Sequence, residues 1–391
     1  MLLLIKNADL YAPEQLGKRD ILIAAGKILA VAESINSTSF PLPCEILDAE
    51  GLAVVPGLID GHVHVTGGGG EGGFKTRTPE LRLSDASLAG VTTVVGVLGT
   101  DGVARSMEAL VAKTYALREE GLSAYCYTGS YRVPVRTITG DVQKDIMMIE
   151  PIIGAGEIAV SDHRSSKPSV EEIARLASEA RLGGMLSGKA GIVNIHLGDA
   201  PAGFEPLERA VSAGDLPRTQ FLPTHCGRNP RLLEAALAWA RAGGFIDFTA
   251  SSAPQFQDDG EMSAARAFNR FRSEGLPLSR ISFSSDGQGS LPVFDASGRL
   301  SGITVGTCAS LLTALREAVL SLGIPLQEAL LPITLTPAAI MKLVSKGRIE
   351  PGMDADLVVL SEGLVPRDVV ARGRILVRGG KALVHGTFEG A

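Results

Sequence analysis

Asp60-Gly-His-Val-His64 ends the apolar run 52–59 and is the segment from which the architecture can be inferred. Side chains alternate between the two faces of an extended strand, so His62 and His64 lie on one face and can bind the same metal ion. A His-x-His pair on its own is more often two surface histidines. The chain has only six histidines among 391 residues, however, and two more of them end later apolar segments. The four together therefore predict a metal site.

The length and composition fit a globular protein with one large and one smaller unit. A parallel α/β barrel takes about 250 residues, so a chain of 391 residues leaves room for a satellite. The 46 glycines suit a fold with many tight turns between strands and helices. The formal net charge of -6 and the sequence pI of about 5.6, without any block of lysines or arginines, argue against nucleic acid as a partner.

The amino-terminal residues, the apolar runs and the cysteines indicate the cellular location that we expect for the protein. Residues 1–11, MLLLIKNADLY, lack a basic region, so they are interpreted as a first strand and not as a signal peptide. Charged residues interrupt every candidate for the roughly 20-residue apolar span that crosses a bilayer, so no membrane is expected as a partner. The cysteines are scattered and form no CxxC pair, which predicts a reduced, cytoplasmic setting. They are Cys44, Cys126, Cys226 and Cys308.

Both ends of the chain alternate short apolar runs with turn signals. In residues 1–55, the segment Ala25-Gly-Lys27 separates two such runs, as the turn of a β-hairpin does. Residues 346–391 have the same character. We therefore predict that 1–55 and 346–391 together form a small β-sandwich that flanks the central domain.

The central residues, 56–345, alternate strands with helices. Eight apolar segments can be counted, at 58–65, 92–97, 123–128, 157–161, 191–197, 220–225, 245–250 and 281–285. One helix is predicted to begin at Ser169, with Glu172 completing a capping box. Another is predicted to begin at Thr78, with Pro79 at the first helical position. Eight βα units in sequence are typical of a (β/α)8 TIM-like barrel, so the fold class is α/β.

Side chains that can bind metals stand where the predicted strands end. They are His62 and His64 after strand 1, His196 after strand 5, His225 after strand 6 and Asp286 after strand 8, while strand 4 is predicted to open at Glu157 and to close on Asp162-His-Arg164. Catalytic groups gather at this end of a barrel. Four imidazoles with carboxylates exceed the needs of one tetrahedral ion, so we expect two divalent ions, with zinc as the metal, roughly 3.5 to 4 Å apart. Such a pair is suited to the hydrolysis of an amide.

These residues, in this order, resemble the amidohydrolase superfamily and, within it, the isoaspartyl (β-aspartyl) dipeptidases. The resemblance covers essentially the whole chain, as far as Pro351-Gly-Met-Asp-Ala-Asp-Leu357, the return into the terminal sandwich. The combination of motifs is far more specific than the His-x-His pair. At the level of the subfamily, the similar stretches are 67–71, 99–101, 133–140, 161–165, 223–225 and 284–290.

The resemblance implies a role for each residue of the metal site. The five predicted ligands other than Glu157 would divide between two ions, with His62, His64 and Asp286 on one and His196 and His225 on the other. Asp286 would also take the proton of the hydroxide shared by the ions and deliver it to the leaving amine, which is the duty of a general base and acid. Tyr131 would donate a hydrogen bond to the developing oxyanion.

The resemblance also implies a site for a dipeptide with two carboxylates. Glu71, at the tip of the glycine-rich run 66–78, would bind the free α-ammonium group, although such a loop is more often a flexible connection. It is not a phosphate loop, because no Gly-Lys-Ser/Thr follows. Arg164 and Arg228 would bind the carboxylates as bidentate forks, although either alone is more often a surface residue. Three more substrate contacts are implied, from Thr100, Ser290 and the backbone near Gly69.

One position departs from the family pattern. The family usually has a lysine on strand 4, carboxylated by CO2, as the anionic bridge between the metals, whereas this chain has Glu157 after Gly154-Ala-Gly156. Glutamate supplies the same single negative charge on a shorter side chain, so the backbone must come closer to the metals. An extra residue in this stretch could form a β-bulge that moves the strand inward. We predict that Glu157 bridges two metals; the alternative is a nearby carboxylate beside a single ion.

The sequence therefore predicts a binuclear metal-dependent enzyme that hydrolyses β-aspartyl (isoaspartyl) dipeptides. A cyclic amidase, such as a dihydroorotase or a hydantoinase, is a second hypothesis, which Glu71 and the two arginines disfavour. A third is a catalytically weak barrel homologue that has lost the bridging lysine. The resemblance further implies a homo-oligomer, with an octamer as one such assembly.

Overall fold

The computed structural model describes residues 2–37, 40, 42–252, 260–295 and 300–389. The first strands of the chain lie in one sheet and are β1 (Leu2–Tyr11), β2 (Gln15–Ala24), β3 (Lys27–Ala32), β4 (Cys44–Asp48) and β5 (Ala53–Pro56). β1 pairs antiparallel with β2 and parallel with β4 and β5. Between β2 and β3, Ala25 and Gly26 have φ angles of 50° and 77°. The predicted hairpin turn is therefore confirmed.

Parallel strands follow in the described part of the chain, eight in number: β6 (Leu58–Val63), β7 (Val91–Gly96), β8 (Ser123–Thr128), β9 (Ile152–Val160), β10 (Ile192–Leu197), β11 (Phe221–Thr224), β12 (Ile246–Thr249) and β13 (Ile281–Ser284). β6 to β11 form one sheet, and β12 pairs with β13. The Cys226 amide donates to the Asp247 carbonyl at 3.3 Å, and the His64 amide donates to the Gly287 carbonyl at 2.8 Å. These bonds join the two sheets at both edges, so the strands form the predicted TIM-like barrel.

Helices alternate with the strands of the barrel and continue after it. They are α1 (Leu83–Ser87), α2 (Met107–Glu120), α3 (Val142–Met148), α4 (Val170–Ser187), α5 (Glu205–Gly214), α6 (Pro230–Arg241), α7 (Ala264–Ser273), α8 (Ala309–Arg316), α9 (Leu326–Ala329) and α10 (Leu335–Ile340). The capping box predicted for α4 is confirmed, because the Ser169 hydroxyl accepts from the Glu172 amide and the Glu172 carboxylate accepts from the Ser169 amide. Within the described ranges, no helix is both long enough and apolar enough to cross a membrane.

The chain returns to its first sheet at the end. A hairpin of β14 (Ser290–Phe294) and β15 (Leu300–Val305) follows the last barrel strand. The final strands are β16 (Leu357–Leu360), β17 (Pro366–Ala371), β18 (Arg374–Arg378) and β19 (Lys381–Ala382). Among the described residues, both chain ends share one nine-stranded sheet in the order β19-β18-β17-β16-β5-β1-β2-β3, with β4 beside β1. The sandwich form of this sheet and the limits at 55/56 and 345/346 stay predictions.

Separate apolar cores lie in the terminal sheet and inside the barrel. The terminal sheet buries residues from both chain ends, for example Leu3 and Leu357. Inside the barrel, Ile59 and Tyr127 pack with Met341, which follows α10. With these apolar side chains packed inside the barrel, its carboxyl-terminal rim is the part where polar groups can gather.

The helix predicted at Thr78 is wrong. The structure begins α1 at Leu83. The Thr78 hydroxyl accepts a hydrogen bond from the Gly68 amide at 2.6 Å and donates one to the Gln288 carbonyl at 2.5 Å. Thr78 therefore anchors the glycine-rich loop to the segment after β13, a contact between residues far apart in sequence.

The predicted start of strand 4 is also wrong. β9 begins at Ile152, five positions before Glu157. Gly154 and Gly156 are typical of a loop, but each lies in the strand at a close approach to β10. A Cβ atom at these positions would lie 2.4 and 2.7 Å from the carbonyl oxygens of Ile192 and Asn194. The glycines thus permit tight strand packing beside the site.

Lys346 joins the barrel to the terminal sheet. It is 5% exposed, and its ammonium group donates to Ser123 Oγ and to Asp356 Oδ2, both at 2.5 Å. It also pairs with Asp354 at 2.9 Å. Removing one partner of a buried ion pair leaves the other charge uncompensated, so we expect Lys346→Met to lower the free energy of unfolding by about 3 to 5 kcal/mol. Urea denaturation measures this loss.

Lys27→Met is the matched control. Lys27 pairs with the same Asp354 at 2.6 Å, but its side chain is 45% exposed. A pair in contact with solvent contributes about 0 to 1 kcal/mol, so the control should lose little stability. Equal losses in the two variants would contradict the role given to the buried amine.

Candidate metal centre

Four histidines meet at the carboxyl-terminal rim of the barrel. His62 and His196 lie on β6 and β10, and His64 and His225 come directly after β6 and β11. All four are at most 7% exposed. The ring centroids of His62 and His64 are 5.5 Å apart, those of His62 and His225 5.6 Å, and those of His196 and His225 4.5 Å. The structure thus brings the predicted histidines together.

Glu157 lies among these rings. Its Oε1 atom is 2.6 Å from His196 Nδ1 and 3.5 Å from both His62 Nε2 and His225 Nε2. The predicted β-bulge is confirmed at this point, because β9 advances from 155 to 158 while β10 advances only from 193 to 195. At this point β9 has one residue more than β10, and the Glu157 side chain contacts histidines that come from three other strands.

Asp286 faces the cluster from the segment after β13. Its Oδ1 atom is 3.0 Å from His64 Nε2 and 3.6 Å from His62 Nε2. Asp286 and His225 have φ angles of 53° and 64°, in the left-handed region that residues other than glycine seldom adopt. Such backbone conformations are costly and collect at functional sites.

Buried polar atoms without a hydrogen-bond partner indicate a cation site. Among the described residues, these atoms include His62 Nε2 and Glu157 Oε2. Two sets of residues offer potential ligand atoms, and within each set these atoms lie within 4.8 Å of one another. One set is His62, His64 and Asp286, and the other is His62, Glu157 and His225. Imidazole nitrogens and carboxylate oxygens are ligands of zinc and related divalent ions. The residues therefore fit a divalent metal.

The charges at the site also favour a cation. Burial would raise the pKa of Glu157, but the neighbouring histidines hold it well below its usual value, so the carboxylate is ionised. Burial would lower the pKa of His62, but Glu157 and Asp286 raise it to about 9. The negative potential that favours a proton on His62 equally favours a metal cation. Burial keeps the pKa of His225 well below its usual value, so this imidazole is neutral and can offer a lone pair.

His196 lies next to His225, with which it is predicted to share a metal ion, and their ring centroids are 4.5 Å apart. In the part of the chain that the structure describes, neither set of ligand atoms includes His196. Its Nδ1 atom contacts Glu157, and its Nε2 atom lies 3.2 Å from Asp162 Oδ2. The division of the ligands between two ions therefore stays a prediction.

Sequence reasoning missed the side chains that contact the outer nitrogens of the histidine rings. Asn194 Oδ1 lies 3.1 Å from His62 Nδ1, and Thr249 Oγ1 lies 2.6 Å from His225 Nδ1. Partners of this kind fix the orientation of an imidazole that binds a metal. A signal existed for Asn194, which precedes His196 by two positions and so shares its strand face.

The predicted substrate residues surround the mouth of the site. Glu71 accepts from the Thr100 hydroxyl at 2.8 Å and from the Ser290 hydroxyl at 3.4 Å. It also pairs with Arg164 at 3.3 Å. Gly69 lies close to Ser290, since a Cβ atom there would lie 2.6 Å from the Thr76 carbonyl oxygen and 3.2 Å from Ser290 Cβ. The loop tip therefore reaches the metal-site rim.

Tyr131 and the two predicted arginines lie around His196. The Tyr131 hydroxyl is 2.8 Å from His196 Nδ1. Burial raises the pKa of Tyr131 well above its usual value, so the hydroxyl keeps its proton and remains a donor. Arg164 and Arg228 line one groove together with His225, Asp286 and Ser290. The other two histidines, His163 and His385, have side chains that are 85% and 51% exposed and stand apart from the cluster.

Solved structures of known proteins are similar over the whole chain. The β-aspartyl dipeptidase of Fervidobacterium islandicum AW-1, determined in complex with the dipeptide β-Asp-Leu, is 46% identical, with a TM-score of 0.91 over 98% of this chain and 97% of that chain. The dihydropyrimidinase of Brevibacillus agri NCHU1002 has a TM-score of 0.68 over 99% of this chain and 97% of that chain. Its identity is only 15%, so it shares the fold alone.

Sequence comparisons match parts of the chain. The model of the amidohydrolase family matches residues 225–376. The dihydroorotase of Listeria monocytogenes serotype 4b (strain CLIP80459) is 32% identical over 161 residues, which are 40% of this chain and 34% of that protein. The chain thus spans about a third of the length of this curated relative.

Proposed function

Since the chain belongs to the β-aspartyl dipeptidase family of the amidohydrolase superfamily, we propose that it hydrolyses the isopeptide bond of β-aspartyl (isoaspartyl) dipeptides. One observation carries this proposal: Glu71 and Arg164, which have the charges to bind the ammonium and carboxylate groups of a dipeptide, meet at the mouth of a buried centre of four histidines. Hydrolytic and recognition groups thus share one rim of the barrel.

Two divalent metal ions, with zinc as the expected metal, would be held by His62, His64, Glu157, His196, His225 and Asp286. When bound, the ions would supply Lewis acidity, which lowers the pKa of a water molecule and polarises the amide carbonyl. The contacts of Glu157 with histidines from three strands support its role as the shared ligand. Its single negative charge would offset part of the positive charge of the two ions.

Asp286 is the proposed general base and acid. Burial would raise the pKa of its carboxyl group, but His64 and the other histidines hold it well below its usual value, so Asp286 is ionised and can accept a proton. It would take this proton from the attacking water and transfer it to the leaving amine. Tyr131 would donate a hydrogen bond to the carbonyl oxygen as negative charge develops there.

The charges at the mouth suit a substrate with one ammonium and two carboxylate groups. Burial would raise the pKa of Glu71, but hydrogen bonds and Arg164 lower it, so the side chain is ionised. It would bind the α-ammonium group, and Arg164 and Arg228 would bind the carboxylates as bidentate forks. An incoming dipeptide would exchange the Glu71–Arg164 ion pair for ion pairs of its own.

Glu71→Gln tests the proposed ammonium contact. Glutamine keeps the size of the side chain but removes its charge, so we expect kcat/KM for β-Asp-Leu to fall about 10- to 100-fold, mainly through KM. Glu80→Gln is the control, because the Glu80 side chain is 61% exposed and pairs with Lys113. Steady-state kinetics measure both variants. An unchanged KM in Glu71→Gln would remove Glu71 from the substrate site.

The reaction itself is tested with the purified protein on β-Asp-Leu, α-Asp-Leu and dihydroorotate, with metal per chain determined on the same sample. Selective cleavage of β-Asp-Leu with about two metals per chain would support the proposal. Cleavage of dihydroorotate would favour a cyclic amidase, for which the partial match to a dihydroorotase is the one supporting observation. No turnover, with one metal or none, would favour a catalytically weak homologue.

We also propose that the chain forms a homo-oligomer, with an octamer as the assembly to test first, and that it is located in the cytoplasm. Both rest on the sequence interpretation. Size-exclusion chromatography with light scattering measures the first, and fractionation of the source cells measures the second.

A further inference from the structure

Asp162 is a buried carboxylate that the proposed mechanism does not use. Its side chain is 2% exposed and lies just after β9, between the metal-site residue His196 and the substrate-site residue Arg164. The Oδ2 atom lies 3.2 Å from His196 Nε2 and accepts from Arg164 Nη2 at 2.9 Å. The Oδ1 atom accepts from Arg164 Nε at 3.0 Å and from the Arg164 amide at 2.7 Å. One carboxylate therefore contacts both parts of the site.

We propose that Asp162 is a positioning residue that keeps a proton on His196 Nε2, so that His196 Nδ1 is available to a metal ion, and that it holds Arg164 in place for the substrate. The inference rests on the metal site of the proposed function and adds a residue that couples this site to substrate recognition.

The two nitrogens of His196 face different surroundings. Nδ1 faces the cluster, 2.6 Å from Glu157 Oε1 and 2.8 Å from the Tyr131 hydroxyl. Nε2 faces Asp162 Oδ2 at 3.2 Å and lies 3.3 Å from the same hydroxyl. A neutral imidazole carries one proton, and a metal ion takes the lone pair of the other nitrogen. Ligation through Nδ1 therefore requires the proton to be on Nε2.

The surroundings of His196 Nε2 would otherwise oppose this tautomer. Arg164 Nη2 lies 3.0 Å from it and Arg228 Nη1 lies 3.4 Å from it. Both groups are cationic and can only donate hydrogen bonds, so alone they would favour a lone pair on Nε2 and a proton on Nδ1. Asp162 supplies an acceptor and a negative charge at this point. It thereby selects the tautomer that offers Nδ1 to a metal ion.

Asparagine cannot replace this carboxylate. Both oxygens of Asp162 take part in hydrogen bonds: Oδ1 accepts from the Arg164 amide and from Arg164 Nε, and Oδ2 serves Arg164 Nη2 and His196 Nε2. An amide offers one acceptor oxygen and no charge, so it would leave either the imidazole or the guanidinium without its partner. Asp162→Asn is nearly isosteric, and yet it should weaken both the metal site, through His196, and the substrate site, through Arg164.

Zinc affinity is the first measurement, made by competition with a chromophoric chelator. We expect Asp162→Asn to bind at least one zinc ion about 10- to 100-fold more weakly than the unmodified chain. Its KM for β-Asp-Leu should rise as well. The matched variant is Arg164→Met, which removes the second partner of Asp162 and leaves the contact to His196. Arg164→Met should raise KM without weakening zinc binding.

Equal zinc affinities in Asp162→Asn and the unmodified chain would overturn the inference and leave the proposed function intact. An unmodified chain that binds no divalent ion would overturn the metal site of the proposed function, and this inference with it. If Asp162→Asn does not fold, as judged by circular dichroism, a second measurement decides. In the zinc-loaded, ¹⁵N-histidine-labelled chain, which has only six histidines, His196 should carry its proton on Nε2; a proton on Nδ1 would overturn the inference.

Discussion

Glu157→Gln is expected to lower kcat for β-Asp-Leu by about 10²- to 10³-fold, the loss that follows removal of one preorganised electrostatic group from an active site. Zinc per chain should fall in the same variant. The side chain is 1% exposed, and its Oε1 atom lies 2.6 to 3.5 Å from imidazole nitrogens of three histidines. Glutamine keeps this shape but removes the negative charge that would be shared by two cations. Steady-state kinetics and metal analysis of the same preparation measure both effects.

Two further substitutions distinguish the effect of the negative charge at position 157 from the effect of side-chain length. Glu157→Asp keeps the charge on a shorter side chain. A large loss of kcat in this variant would show that the length of the side chain matters as well as its charge. Glu157→Lys restores the residue that the family usually has. The β-bulge at 155–158 would place the backbone of β9 for the shorter glutamate side chain, so we expect bicarbonate to give no full rescue of this variant. Full rescue, or a Glu157→Gln enzyme with unchanged metal and kcat, would contradict the direct bridge.

Asp286→Asn is expected to lower kcat about 10²- to 10⁴-fold, the usual contribution of a general acid or base. The Asp286 carboxylate lies 3.0 Å from His64 Nε2 and lines the same groove as Ser290 and Arg228. Asparagine fills the same space but cannot accept a proton. Because the substrate contacts are left in place, KM should change much less than kcat, and steady-state kinetics with β-Asp-Leu separate the two.

Asp199→Asn is a suitable control for this experiment. Asp199 lines the groove as well, but it is exposed and has no place among the proposed ligands, so little change in kcat is expected. Metal content must accompany the kinetics, since loss of zinc from Asp286→Asn would show a ligand role as well. A kcat that remains at the level of the unmodified chain would show that another group moves the proton.

The sequence predicted the elements whose signals are local. Alternating apolar segments marked the barrel strands, and the capping box marked the start of α4 correctly. Histidines at the ends of strands 1, 5 and 6 were expected to converge because the carboxyl ends of barrel strands share one rim. The glycines before Glu157 predicted a bulge, which the register of β9 against β10 confirms. Local patterns failed at Thr78, whose hydroxyl partner Gln288 is 210 positions away.

The amino-acid sequence by itself therefore determined the barrel, the set of residues at its rim and the family to which the chain belongs, because strand periodicity and the positions of histidines are properties of short segments. Only the tertiary structure decided which nitrogen of His196 faces Glu157, that Asp162 lies between His196 and Arg164, and that β9 begins at Ile152. These features depend on contacts between strands. Strand register, bulges and side-chain hydrogen bonds across the barrel determine these features. The residue pattern within one strand does not specify which residues of a neighbouring strand it will contact.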